Sequence, residues 1–82
     1  MSVEYYRKQI IDLRARLTKE KESKKKDNAY YAALIKGTSS ASFKAAYRKS
    51  KINKAASHDR AIDNLKKQIE NAKANLAKAR KK

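Results

Sequence analysis

Apolar side chains recur in steps of three and four residues along the first part of the chain, as in a helix that packs along one face. The series consists of Val3, Tyr6, Ile10, Leu13, Leu17, Tyr31 and Leu34. Its middle positions are polar, with Glu20, Lys24 and Asp27 at the same spacing. The pattern predicts a helix over residues 2–36, with Ser2 as its N-cap.

A second stripe follows the same steps through the other half of the chain. Its main members are Tyr47, Ile62, Leu65, Ile69 and Leu76, with His58 at the same spacing. It predicts a helix over residues 42–81. Near its start Phe43, Tyr47 and Lys51 are spaced by four, which predicts local unwinding of a coiled coil. Residues 37–41 carry the turn signal, and Gly37 is expected to form a left-handed C-cap.

The two stripes match as an antiparallel hairpin. Opposed residues in such a hairpin have position numbers with a nearly constant sum. Ile10 opposite Ile69 gives 79, and Leu13 opposite Leu65 gives 78. The midpoint of this register falls within the turn signal. We therefore predict an all-α, two-helix coiled-coil hairpin as a single domain over residues 1–82. A hairpin buries only one narrow seam, so we expect an oligomer, formed by self-association or with a helical protein partner.

The same register opposes Glu20 to His58 and Asp27 to Lys51. The polar sections of both stripes thus face each other and form a hydrophilic waist. One interpretation is a device that fixes the register at some cost in stability. The other is a partner site, and the sequence leaves both open.

Two tyrosine pairs repeat along the first helix. Tyr6 and Tyr31 belong to the seam, whereas Tyr5 and Tyr30 lie beside it. Tyr5 and Tyr30 either flank the seam or form a candidate second contact face, since tyrosine is enriched at protein interfaces.

The composition narrows the class of protein. The 82 residues include one Gly, no Pro and no Cys. This composition disfavours a many-stranded β fold and excludes a disulfide framework or a thiolate metal site. No stretch approaches the roughly 20 apolar residues of a membrane span. The expectation is a soluble, cytoplasmic protein without a membrane span.

Charge is the strongest functional feature of the sequence. Against 8 acidic residues stand 23 basic ones, a net charge of +15. Two clusters meet near the turn in the hairpin register, which predicts a basic belt, and a third forms the C-terminal tail. The residues of these candidate polyanion-binding clusters are Lys24, Lys25, Lys26, Lys44, Arg48, Lys49, Lys51, Lys54, Arg80, Lys81 and Lys82. The belt would bind nucleic acid independently of base sequence, or an acidic protein surface.

Catalytic chemistry is not indicated. With one His and no Cys, the chain can build neither a Cys–His pair nor a His cluster. A single Gly also excludes a glycine-rich phosphate loop. We expect that the chain is not an enzyme, that it has no catalytic or metal-binding residue and that it binds no cofactor.

Residues 39–52 and 55–62, together with residues 5–10, resemble N-terminal helical regions of bacterial effectors with Toll/interleukin-1-receptor-like (TIR) domains. Those regions are basic coiled coils with a Ser-rich turn before a Lys/Arg-rich helix. The resemblance covers most of the chain and implies an oligomerising or target-sensing module of a bacterial immune (antiviral defence) effector. No TIR domain fits within 82 residues, so the resemblance implies no catalytic role here.

The size of the hairpin and the Gly37 turn are also similar to helical-hairpin partners in bacterial type VII secretion. The Trp-x-Gly motif of that group is missing, because the chain has no Trp. Its strongly basic charge is a further departure from the group.

Overall fold

The chain forms two long helices that pack side by side. A computed structural model describes residues 2–81, with helix α1 at Val3–Gly37 and helix α2 at Ala41–Arg80. The pair is a rod with dimensions of 64 × 14 × 11 Å. The predicted all-α antiparallel hairpin is therefore confirmed. Neither helix in this described part is long and apolar enough to cross a bilayer.

A serine starts each helix. The Ser2 hydroxyl accepts a hydrogen bond from the Tyr5 amide at 3.3 Å, and the Ser40 hydroxyl accepts one from the Phe43 amide at 3.3 Å. These bonds satisfy amides that have no partner within the first helical turn. Glu4 adds a favourable negative charge at the start of α1.

The expected left-handed C-cap at Gly37 is wrong. Gly37 is the last residue of α1 and its φ is not positive, while Thr38 leaves the helix in an extended conformation (φ −108°, ψ 140°). The Thr38 hydroxyl accepts a hydrogen bond from the Ser40 amide at 3.2 Å. An extended residue and side-chain hydrogen bonds therefore make the reversal, so the turn needs no residue with positive φ.

The seam holds a small apolar core at the end of the rod remote from the turn. The buried residues are Ile10, Leu13, Ile62, Ile69 and Ala72. Leu17, Leu65 and Leu76 are partly buried and pack against this core. The other predicted seam residues are half-buried: Val3, Tyr6, Tyr31, Leu34 and Tyr47.

The half of the rod nearer the turn packs less closely. From residue 14 to residue 61 no side chain is buried. Phe43, where the spacing of the stripe changes, is 58% exposed. Lys44 is half-buried instead, three positions before Tyr47. The seam thus passes beside Phe43 and leaves its ring outside.

Gly37 provides a test of the turn. Replacing Gly37 with Ala should stabilise the hairpin by about 0.5–1 kcal/mol, because the residue is helical and Ala loses less backbone entropy on folding. A Cβ atom at this position would meet nothing within 4 Å. Urea unfolding measures the change.

Ala33→Gly, at an exposed helical position, is the reciprocal control and should destabilise by a similar amount. A left-handed cap at Gly37 would give the opposite sign, with Gly37→Ala lowering the free energy of unfolding.

Candidate interaction site

A polar cluster joins the two helices at the middle of the seam. The His58 ring of α2 lies between two carboxylates of α1, with Nδ1 2.5 Å from Glu20 Oε1 and Nε2 2.6 Å from Asp27 Oδ2. The His58 side chain is only 15% exposed. We call these three residues the polar clamp, since they form a polar contact between α1 and α2.

The polar clamp favours the imidazolium form of His58. Its pKa is raised above the ordinary value of 6.5, first by the hydrogen bond to Asp27 and then by the one to Glu20, with partial burial opposing them. Only a doubly protonated ring can donate to both carboxylates at once. The hydrogen bonds of the clamp are therefore charge-assisted, and they are strongest when both ring nitrogens of His58 are protonated.

The geometry of the clamp does not converge on a ligand. The two ring nitrogens point in opposite directions, so each carboxylate occupies its own side of the imidazole. Among residues 2–81, no group of three or more His, Cys, Asp or Glu side chains is placed to hold a metal ion. Both nitrogens of His58 are engaged in the contact between the helices.

The cross-helix pairing differs from expectation at one position. Glu20 opposes His58 as the register requires, but the Asp27 carboxylate contacts His58 rather than Lys51. A second ion pair joins the helices beside the clamp, with Lys24 Nζ 2.6 Å from Asp59 Oδ1. His58 reaches Asp27 because one imidazole spans the space between two carboxylates that are two helical turns apart on α1.

The residues of the predicted basic belt and of the C-terminal tail lie in different environments. Most are exposed: Lys25, Lys26, Arg48, Lys49, Lys54, Arg80 and Lys81. Lys44 and Lys51 are half-buried, and Lys24 is engaged with Asp59. Lys82 lies outside the described residues. The belt is therefore a set of exposed lysines and arginines around a more sheltered Lys24.

An open groove runs beside the seam in the half of the rod near the turn. It has a volume of about 530 Å³ and is lined by Lys24, Asn28, Ile35, Arg48, Lys51, Ile52 and Ala55. Ile52 is 68% exposed. The groove, which we call the turn-side groove, combines an aliphatic floor with a cationic rim drawn from both helices.

Each predicted tyrosine pair forms an edge-to-face contact. The ring centroids lie 5.2 Å apart in Tyr5–Tyr6 and also in Tyr30–Tyr31. Tyr6 and Tyr31 are half-buried, whereas Tyr5 and Tyr30 are exposed. Phe43 stacks on Tyr47 at 6.3 Å. Each pair therefore connects a half-buried ring to a ring available for contact.

The contact between His58 and Asp27 was not predicted from the sequence. The only sequence signal is that Glu20 and Asp27 occupy equivalent seam positions one heptad apart, which places two carboxylates on the same stretch of the seam. The register itself opposes His58 to Glu20 alone, so spacing does not predict the contact with Asp27. The grooves beside the seam were also not predicted, because their linings combine seam residues with the residues next to them on both helices.

Comparison of the chain with known protein families, curated proteins and solved structures finds no match. The interpretation of the site therefore depends on its geometry and on the sequence.

The polar clamp predicts a pH-dependent stability. Because His58 has a higher pKa in the folded chain, its contribution is complete below pH 6.5, the unfolded value, and is lost as pH rises through the folded pKa. The melting temperature should therefore be lower at pH 8.5 than at pH 6.0.

His58→Gln is the matched variant for this measurement, since it keeps a polar side chain without a titrating group. Its melting temperature should change little between the two pH values. An equal pH dependence in both proteins would contradict the role of the clamp.

Proposed function

We propose that the hairpin is a non-catalytic assembly module that binds other helices, first of all those of further copies of itself. The observation that carries this proposal is the absence of any buried side chain from residue 14 to residue 61, combined with exposed rings in the same half of the rod. Tyr30 is 60% and Phe43 58% exposed. A second layer of helices would cover these rings, as helical folds generally require.

The resemblance to N-terminal regions of TIR effectors supports the same role. In such a setting the module would bring effector chains together or sense a target. The exposed Tyr30 and Phe43 would supply contact area between copies, and aromatic side chains of this kind are enriched at protein interfaces.

Self-association is tested by sedimentation velocity over a range of chain and salt concentrations. We expect masses above that of the single chain. Association should strengthen as salt rises, because each copy carries +15 and salt screens the repulsion. The double variant Tyr30→Ser, Phe43→Ser should weaken association at least tenfold, about 1.4 kcal/mol.

The control is Ile11→Ser, which removes an exposed apolar side chain at the other end of the rod. It should leave association unchanged. A wild-type chain that sediments as a monomer at all concentrations and salts would contradict self-assembly.

Sequence-independent nucleic-acid binding is a second candidate function, supported by the exposed lysines of the belt. Residues 41–58 contain no acidic side chain, and Lys25 and Lys26 are exposed across the seam from this segment. Such a surface attracts phosphates and releases their counterions.

Nucleic-acid binding predicts an affinity for duplex DNA that falls steeply with salt, opposite to the salt dependence of self-association. Lys25→Glu, Lys26→Glu should weaken binding at least tenfold. Lys8→Glu, Lys67→Glu makes the same change of charge at exposed positions away from the belt and should have a smaller effect. No binding at low salt would exclude this function.

A further inference from the structure

The two flanks of the seam differ in charge. On one flank, which we call the groove flank, side chains recur every seven residues: Arg7, Arg14, Lys21, Asn28 and Ile35 on α1, with Ile52, Asp59, Lys66, Lys73 and Arg80 on α2. Six of these ten residues are basic, and the single acid, Asp59, is paired with Lys24. The groove flank therefore carries a strip of positive charge in its half remote from the turn.

The opposite flank is nearly neutral. Its residues are Gln9, Arg16, Ser23 and Tyr30 on α1, with Lys54, Ala61, Gln68 and Asn75 on α2. Of its two basic residues, Arg16 is paired with Asp12, as Arg7 is with Glu4 and Lys73 with Glu70 on the groove flank. Leaving out these paired side chains, the groove flank keeps four basic residues and the opposite flank one. The charge of the rod is thus placed asymmetrically about the seam, which a merely solubilising surface does not require.

Two grooves lie on the charged flank. The turn-side groove includes Asn28, Ile35 and Ile52. A second one, the end-side groove, has a volume of about 310 Å³. It is lined by Arg7, Ile10, Ile11, Arg14, Lys73 and Leu76. Both helices contribute to each groove, so the two grooves form one interrupted channel along a single face of the hairpin.

The two grooves have the same construction. Each has an aliphatic floor with a highly exposed isoleucine, Ile11 in one and Ile52 in the other, both 68% exposed. Each also has three cationic side chains in its lining: Arg7, Arg14 and Lys73 in one, Lys24, Arg48 and Lys51 in the other. Three of these cations form ion pairs with exposed acids, namely Arg7 with Glu4, Lys73 with Glu70 and Lys24 with Asp59. Arg14, Arg48 and Lys51 have no such pair among the described residues. The repeated pairing of exposed aliphatic carbon with positive charge points to a ligand that is both apolar and acidic.

We propose that the groove flank binds an acidic amphipathic helix of another protein, which completes a three-helix bundle. The apolar stripe of such a helix would cover the floors of both grooves, and its acidic edges would meet the cationic rims. The distance along α1 from Ile11 to Ile35 is about 36 Å at 1.5 Å per residue. A partner helix of about 24 residues, or seven turns, therefore reaches both grooves.

Other occupants fit less well. A nucleic-acid backbone would satisfy the rims but leave the aliphatic floors of Ile11 and Ile52 without a partner. A second copy of this chain carries the same net charge of +15, so its groove flank would be repelled by this one. The charge and the apolar floors together select an acidic helix.

This inference rests on the proposed role of the hairpin in binding helices, but it uses a different face from Tyr30 and Phe43. The two proposals can therefore fail separately. A chain that sediments as a monomer and still binds an acidic helix would lose self-assembly and keep the partner site.

The probe is a designed peptide of about 28 residues, four heptads with Leu along its seam and Glu on its flanks. A scrambled peptide of identical composition is its control. Binding to the full chain is measured by fluorescence anisotropy at about 50 and 300 mM salt, and peptide helicity by circular dichroism. We expect the designed peptide to bind at least tenfold more tightly than the scrambled one and to gain helicity.

Variants locate the site. Arg14→Glu, Lys66→Glu should weaken peptide binding at least tenfold. Lys8→Glu, Lys67→Glu, an equal change of charge at positions off the groove flank, should weaken it by less than about threefold at the higher salt concentration. Ile11→Ser, Ile52→Ser should weaken binding at both salt concentrations, because apolar contact is not screened. All these positions are exposed, and circular dichroism checks that each variant remains helical.

Three outcomes would overturn the proposal. One is equal binding of the designed and scrambled peptides. Another is an equal loss of binding in the two charge-reversal variants. The third is tighter binding of duplex DNA than of the designed peptide, with no effect of Ile11→Ser, Ile52→Ser, which would assign the flank to nucleic acid.

Discussion

The structure depends on one narrow seam between two helices. A pair of helices can bury only the strip of side chains along which they touch, and five of residues 2–81 are buried here, all in the half of the rod remote from the turn. Ile10, Leu13 and Ile69 interlock there with Ala72, which is only 2% exposed and lets the helices approach closely. The other side chains of the described residues remain at least partly accessible to solvent or to a partner. The scarcity of buried surface is therefore the reason that the hairpin has so much surface available for binding.

The polar clamp joins the two helices where the seam positions change from apolar to polar. Past Leu17 the seam positions become Glu20, Lys24 and Asp27, and the helices are held by His58 and by the pair of Lys24 with Asp59. Polar contacts of this kind add little stability compared with a packed core, but they penalise a shifted register, because a slipped helix would leave charges without partners. The clamp thus fixes the register of the half of the rod that apolar packing does not define.

The sequence predicts the architecture well because a single heptad pattern governs nearly the whole chain. Both helices, the antiparallel register and the opposition of Glu20 to His58 follow from the spacing of seam residues around a Ser-rich turn. The errors occur where local chemistry overrides that pattern. Gly37 stays helical because the hydroxyls of Thr38 and Ser40 satisfy amides at the reversal. Asp27 turns to His58 because the imidazole reaches both carboxylates, which no periodicity can encode.

The candidate site was only partly predictable for a related reason. Net charge and clusters of consecutive lysines are visible in the sequence, and they suggest a belt around the turn. Consecutive residues on a helix point in different directions, however, so such clusters do not form one surface. The coherent surface comes from residues seven apart, such as Arg7, Arg14 and Lys21 on one helix and Lys66, Lys73 and Arg80 on the other.

Charge and apolar contact contribute to partner recognition in different ways on the groove flank. The charge acts at a distance and raises the rate of encounter with any acidic partner, whereas the apolar floors act only at contact. Charge alone would not distinguish an acidic helix from a nucleic acid. Ile11 on α1 and Ile52 on α2 lie on the same flank of the folded hairpin, and they supply the part of the surface that makes this distinction.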